Sequence, residues 1–228
     1  MALKDLLGVG EEASPEQLAS KIPQHLNDLL RKYGELTREE KIAIGRSIPL
    51  LYPNLSQAPP ELQSLEYVGA YSEGLVVRGG SYGNWALYRA RRPIVLGGRF
   101  GYGALGESEE AVVLGGFFTT SAFWAAKKPI VVGGQLGQDA FLRAEGVKCY
   151  VNTIGSLCET LSGVIVAKKL GSVVAPASTL TIYCVEVDHG SEHCIKINEE
   201  DFDDQLTLDG LEKALEKLKL KYGNQCRR

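Results

Sequence analysis

The sequence predicts a mainly β protein: a single-stranded parallel β-helix with an N-terminal helical segment and a C-terminal hairpin plus helix. Three observations predict this fold. The phrase "IVLGG" occurs at 94–98 and returns with small changes at 112–116 and 130–134. Columns of like residues keep the same constant step, eighteen positions along the chain. Charged pairs at 91–92, 109–110 and 127–128 alternate in sign at that step as well.

Four columns carry the period. The glycine column contains Gly79, Gly97, Gly115 and Gly133. The alanine column contains Ala86, Ala104, Ala122 and Ala140. An aliphatic column contains Val76, Ile94, Val112 and Ile130, and a largely aromatic one contains Tyr82, Phe100, Phe118 and Leu136. A fixed short period indicates a repeat architecture, and this one has the length of one coil of a parallel β-helix.

Each column has an expected place in the coil. The aliphatic, aromatic and alanine columns should point into the interior, and the glycines should form corners with positive φ. The charged pairs should stack as a ladder of alternating sign. About five or six coils are expected, which gives a rod of roughly 25–30 Å at the spacing of neighbouring strands.

The flanks complete a division into residues 1–60, 61–175 and 176–228. Ser14-Pro15 and the capping box from Thr37 to Glu40 predict helices in the first segment, 1–60. In the last segment, "TLTIYCVEV" at 179–187 and "HCIKIN" at 193–198 predict the strands of a hairpin. A leucine row over about 207–222 predicts a final helix that caps the core or binds a partner.

Composition limits the classes of partner. The formal net charge of −3 provides no basic field for nucleic acid. No run approaches the roughly 18 apolar residues that span a bilayer. We expect a cytoplasmic protein without a secretory signal, whose cysteines are thiols. These are Cys149, Cys158, Cys184, Cys194 and Cys226.

Residues 133–171 resemble a known domain family. The matching features are Gly137, the "FLRAEG" stretch ending at Gly146, Gly155 with Cys158-Glu159, and Gly163 followed by "VIV". In these features the segment is similar to the glycine-rich (GXGXG) β-helix domain, which ends the glutamate synthase large subunit and forms one of the subunits of formylmethanofuran dehydrogenase. The resemblance implies a spacer and docking surface beside a partner, without catalytic residues of its own. The glycine pairs that precede each strand in that family are here Arg92-Pro93, Glu110-Ala111 and Lys128-Pro129.

The same period also fits a left-handed β-helix of the hexapeptide type. Apolar residues stand at positions 94, 100, 112, 118, 124, 130, 136 and 142, and Gly or Ala stands two places before most of them. Inward positions of that fold normally take compact aliphatic residues, so the aromatic residues Phe100, Phe118 and Trp124 favour the right-handed form. Left-handed helices of this type hold acyltransferases and the zinc-dependent γ-class carbonic anhydrases.

One stretch has the residue types of a zinc site. "CVEVDHGSEHC", 184–194, contains Asp188, His189 and His193 between Cys184 and Cys194. Carboxylate, imidazole and thiolate are all suitable zinc ligands. Adjacent residues of a strand point to opposite faces, however, so His193 and Cys194 should not share one ion. The competing interpretation is a hairpin in which the two cysteines are cross-strand neighbours, as thiols or as a disulfide. No other cofactor is predicted.

Two classes of function follow. The first is a non-catalytic β-helix scaffold or subunit that docks to a partner protein or self-associates, without binding nucleic acid or membrane. The alternative is an enzyme: an acyltransferase or zinc-dependent hydratase on a left-handed helix, or a carbohydrate-active β-helix. For the last, the available acids are Glu107, Glu109, Glu110 and Asp139. Trp85 and Trp124 could stack on sugar rings or pack at corners.

Overall fold

A computed structural model describes residues 3–10, 13–174 and 176–223. The helices of the first segment are α1 (Leu3–Leu7), α2 (Pro15–Lys21), α3 (Leu26–Lys32), α4 (Arg38–Leu51) and α5 (Pro60–Gln63). Helices α2 and α4 begin after the predicted caps Ser14 and Thr37; Thr37 forms the predicted capping box with Glu40, and Ser14 forms one with Gln17 that was not predicted. Every helix in the described ranges is too short or too polar to cross a membrane.

The strands form one parallel sheet wound into a β-solenoid of about six turns. They are β1 (Val76–Arg78), β2 (Ser81–Tyr82), β3 (Ile94–Leu96), β4 (Arg99–Phe100), β5 (Val112–Leu114), β6 (Phe117–Phe118), β7 (Ile130–Val132), β8 (Gln135–Leu136), β9 (Val147–Cys158), β10 (Gly163–Val174), β11 (Leu180–His189) and β12 (Ile195–Lys196). Ile94 pairs with Val76 on one side and Val112 on the other, so register partners lie one sequence period apart. The predicted parallel β-helix with helical flanks is confirmed.

The strands of the solenoid lie on two faces. Face A contains β1, β3, β5 and β7 and continues through the first part of β9 into β10 and β11. Face B contains β2, β4, β6 and β8 and continues through the second part of β9. A third side consists of turns, where the backbone N–H of Leu105 donates to the Ala86 carbonyl at 2.9 Å and Phe123 donates likewise to Ala104.

The predicted orientation of the aliphatic column is wrong by one residue. Ile94 is 39% exposed and Val112 and Ile130 are half-buried, whereas the next residues in sequence are fully buried. The interior column is Val77, Val95, Val113 and Val131. Side chains alternate along a strand, but these strands have three residues and both columns are aliphatic. The period alone could not decide which column points inward.

The other columns line the interior and its corners. The alanine column is fully buried, and the rings of Phe100 and Phe118 stack with centroids 4.6 Å apart. The glycine column has φ between +66° and +79°, a conformation that costs glycine little. The following glycines come close to the next coil: a Cβ on Gly134 would lie 2.5 Å from the Gly116 carbonyl oxygen. Side chains are therefore excluded from this corner.

The two strands predicted as a hairpin are present but pair in parallel. Strand β11 pairs with β10 on one side and, through Tyr183 and Cys184, with β12 on the other. The physical reason is that β11 completes another turn of the solenoid: its buried Ile182 lies beside Ile165, and Cys184 beside Ala167. The parallel sheet therefore continues past residue 175.

The flanking helices cover different parts of the solenoid. Helix α4 closes the N-terminal end of the solenoid. There the Gly45 carbonyl accepts a hydrogen bond from the backbone N–H of Gly69 at 2.9 Å. A Cβ on Gly45 would lie 2.1 Å from the carbonyl oxygen of Tyr67, so only glycine allows this approach. Helix α6 (Leu211–Tyr222) packs on outward residues of face A. The face A residues in this cluster are Val132, Tyr150, Val166 and Tyr183, and the helix residues are Leu211, Leu215, Leu218 and Tyr222. The final helix thus covers the outside of the sheet.

An isosteric pair of variants tests the inward and outward assignment. Val113→Thr places a hydroxyl in the apolar interior and should lower the free energy of unfolding by about 1–3 kcal/mol. Val112→Thr makes the same change on the outer surface and should stay within about 0.5 kcal/mol of wild type. Urea unfolding midpoints measure both, and equal effects at the two positions would contradict the assignment.

The packing of α6 can be tested in the same way. Leu218 is 1% exposed and Leu220 is 79% exposed. Leu218→Ala should cost about 2–5 kcal/mol through lost burial and a cavity, and Leu220→Ala should cost little. Hydrogen exchange of the α6 amides should accelerate only in the first variant. Unchanged protection of α6 in Leu218→Ala would show that the helix does not depend on this contact.

Candidate docking surface

An apolar strip lies uncovered on the outside of face A. It consists of Val76, Ile94, Val112 and Ile130, one residue from each of β1, β3, β5 and β7. Further along the same face, α6 covers the outward residues of β9, β10 and β11. Within the strip, Ile130 at its end is the residue that also packs against the α6 cluster. The α6 cluster therefore covers the later coils of this face and reaches Val132 of β7 and, in part, Leu114 of β5, but Val76, Ile94 and Val112 lie outside it.

A groove of about 490 Å³ runs beside the strip. Its lining residues are Arg92, Ile94, Glu110, Val112, Lys128, Ile130, Gly146 and Lys148. The concave shape follows from strand geometry, because the residues between the two walls, such as Pro93 and Ala111, are buried and point inward. One wall of the groove is apolar and the other carries charge.

The charged wall occupies a column of left-handed backbone. Arg92, Glu110 and Lys128 have φ of +50°, +53° and +52°, and Gly74 and Gly146 hold the same place in the flanking coils. A left-handed residue other than glycine costs roughly 1–2 kcal/mol. Leu105, Phe123 and Phe141 adopt this conformation on the third side too, so it belongs to the coil itself.

Charges alternate along the coils as the sequence predicts. Glu73, Arg91, Glu109, Lys127 and Glu145 form successive parallel bridges. Arg91 Nε lies 3.3 Å from Glu109 Oε2, Lys128 Nζ lies 3.8 Å from Glu110 Oε1, and Arg92 forms an ion pair with Glu73. These side chains are well exposed, so each pair contributes only about 0–1 kcal/mol. Their alternation keeps the groove wall close to neutral.

The tryptophans pack against other aromatic rings on the third side. Trp85 and Trp124 meet edge to face at 6.3 Å, and Trp85 meets Tyr102 in the same way at 5.2 Å. A Cβ on Gly103 would lie 2.6 Å from Trp85 Cε3, so the absent side chain leaves room for the indole. Both tryptophans are half-buried and serve as corner packing.

The acids considered for glycoside chemistry are held by neighbours. Glu107 accepts from Tyr88 Oη at 2.6 Å and from Arg89 Nε at 2.8 Å. Burial opposes its ionisation, but these hydrogen bonds and the Arg89 charge outweigh burial and lower the pKa of Glu107. Glu109 and Glu110 take part in the ion pairs above, and Asp139 accepts from Ser156 Oγ at 3.1 Å. Glu107 therefore suits a structural role better than that of a general acid.

The residues proposed for zinc lie at the C-terminal end of the solenoid. Asp188, His189 and His193 are all exposed, and His193 Nε2 is 3.6 Å from Glu192 Oε1. Over residues 3–10, 13–174 and 176–223, no three His, Cys, Asp or Glu side chains form a group that could hold a metal ion.

Two cysteines near this end are neighbours. Cys184 and Cys194 are free thiols, and Cys194 Sγ donates to the Gly190 carbonyl at 3.9 Å. Interaction with the Cys184 side chain, together with burial, raises the pKa of Cys194. The cysteines are not register partners, because Cys184 lies beside Lys196. Cys226 lies outside the described residues.

The hexapeptide register does not describe the interior. Of its apolar positions, Phe100, Phe118 and Leu136 are buried. The positions that are exposed or half-buried are Ile94, Val112, Trp124, Ile130 and Leu142.

Sequence reasoning also missed the groove. The sequence signal for the groove is the column Gly74, Arg92, Glu110, Lys128 and Gly146, in which the three middle coils carry a charged residue where the two flanking coils carry glycine.

Comparison with protein-family models, with curated proteins and with solved structures finds no match to this chain. The resemblance of residues 133–171 to the glycine-rich β-helix domains therefore remains a proposal.

The Glu107 contacts generate a prediction on acid stability. A carboxyl whose pKa is lowered on folding stabilises the protein above its unfolded pKa of about 4.3, and this stabilisation is lost as the pH falls through the lower folded pKa. Glu107→Gln should therefore cost about 1–2 kcal/mol at pH 7. The difference from wild type should shrink as the pH is lowered from 5 to 3. Unfolding midpoints across this range measure it, with the exposed Glu61→Gln as the matched control.

Proposed function

We propose that this chain is a non-catalytic β-helix scaffold that docks to a partner protein or self-associates through the apolar strip of face A. The observation that carries the proposal is the unequal covering of one sheet face: α6 covers its later coils as far as Ile130, and Val76, Ile94 and Val112 of the strip lie outside the α6 cluster. The resemblance to a spacer domain that stands beside catalytic subunits points the same way.

The composition of the strip supports a protein partner. Outward residues of an uncovered sheet face are normally polar, and apolar ones together with a charged border are typical of interaction sites. On face B the corresponding outward residues are Ser81, Arg99, Phe117 and Gln135. The strip of face A is aliphatic in all four coils. Helix α6 illustrates the type of contact, because it buries a leucine row on the same face.

The enzyme alternative has less support among the described residues. The carboxylates and indoles that a carbohydrate-active site would need are engaged in ion pairs, hydrogen bonds and ring packing. The residues considered for zinc are exposed. We also propose a cytoplasmic location, in keeping with the four free thiols of the described chain.

Site-specific cross-linking tests the proposed function. The photo-reactive amino acid p-benzoylphenylalanine replaces Ile94 in the strip or, as a control, the 79% exposed Leu220 of α6. Irradiation in the natural host cells should give a discrete protein adduct at position 94, and Glu110→Lys should weaken this adduct by altering the groove wall. Adducts that do not differ between the two positions would contradict docking through the strip.

A further inference from the structure

We propose that the occupant of the strip is a second copy of this chain, related by a two-fold axis that is perpendicular to the solenoid and parallel to its strands. This inference rests on the proposed function and identifies its partner. It follows from the order of charges beside the strip and from the position of α6.

The charges of the groove wall can pair with the same charges in reverse order. Between Gly74 and Gly146, successive coils carry Arg92, Glu110 and Lys128, whose signs alternate from positive to negative to positive. A two-fold axis midway between the coils of Arg92 and Glu110 reverses this order in the second copy. Arg92 then faces Glu110 of the second copy, and Lys128 faces Gly74.

The neighbouring ladder of Glu73, Arg91, Glu109, Lys127 and Glu145 lies outside the groove lining and takes no part in this contact.

The same axis aligns the apolar strips. Ile94 meets Val112 of the second copy, and Val76 meets Ile130. Two sheet faces pack about 10 Å apart, which lets such aliphatic residues interdigitate. The strips then match over four coils, with the two charged walls facing each other along one border.

Helix α6 selects this register. Its first turn carries Glu212, which forms an ion pair with Lys148 of β9 in the coil beyond Ile130. A two-fold axis displaced by one coil, between Glu110 and Lys128, would also match charges. That arrangement would bring the first turn of α6 against the second copy. The axis between Arg92 and Glu110 places Lys148 and Glu212 beyond the first coil of the second copy, so α6 borders the interface only beside Ile130.

The area indicates a weak dimer. Four coils extend over roughly 14 Å from the first strand to the fourth. The strip is thus smaller than the roughly 800 Å² per partner of a standard stable interface. We expect a dimer that dissociates on dilution, with its charge contacts governing specificity more than affinity.

Charge reversal of single residues tests the inference on the full chain. Sedimentation equilibrium over a wide concentration range should show wild type in a monomer–dimer equilibrium. Arg92→Glu alone and Glu110→Lys alone each create two like-charge contacts and should weaken dimerisation about tenfold or more. Their equimolar mixture should form a heterodimer, because every contact is then again between opposite charges. Arg99→Glu reverses a charge on face B of the same coil and should leave association unchanged.

Several outcomes would overturn the inference. A wild-type chain that stays monomeric at the highest concentrations would exclude the second copy, whereas a cross-link from position 94 to a different protein would leave the proposed function standing. Two equimolar mixtures of variants test the register. If Lys128→Glu and Glu110→Lys form a heterodimer but Arg92→Glu and Glu110→Lys do not, an axis between Arg92 and Glu110 is excluded. Ile94→Asp removes the apolar centre and, once its unfolding midpoint shows that it folds, must lose the dimer; retention would exclude the strip as the interface.

Discussion

Hydrogen bonds between residues one coil apart are the constraint on which the rest of this structure depends. Strand residues pair with their equivalents in the next coil, and turn residues such as Leu105 and Ala86 bond across coils as well. Because every coil repeats the same backbone path, each side chain lies above its equivalent. A residue type that suits one coil therefore suits them all, which explains the stacked phenylalanines, the buried alanines and the glycine corners.

The same constraint has costs. A closed path as short as one coil needs sharp corners, and the chain adopts left-handed backbone at many residues other than glycine, among them Phe123 and Lys128. A stack of coils also has open ends, and exposed strand edges favour aggregation. The N-terminal helices close one end, with Gly45 allowing α4 to approach the first coil within hydrogen-bonding distance. Later in the chain, β9 lacks the glycine corner and runs as one strand across both faces.

Much of this architecture could be predicted from the sequence, because a constant period is a property of whole columns. The parallel solenoid, the helix caps and the alternating charges all follow from spacing. The orientation of Val112 and Val113 could not be predicted, since both are β-branched and a three-residue strand shows too little alternation. The pairing of β11 was also hidden: a strand pattern around "DHGSE" is the same for a hairpin and for a further coil, and the choice depends on contacts of Ile182 and Cys184 with the preceding coil. The groove depends on both orientation and corner geometry, so only the assembled coils reveal it.

The alternation of charge has a consequence for how such a chain can change in length. If one coil were lost, a coil carrying Glu73 would stack directly on one carrying Glu109, and like charges would meet. If two coils were lost together, acidic side chains would still stack on basic ones. Electrostatically, the unit of duplication or deletion is a pair of coils, although the backbone repeats with every single one. Relatives of this chain that differ in solenoid length should therefore differ by even numbers of coils within the charged region, or should carry compensating changes of sign at the junction.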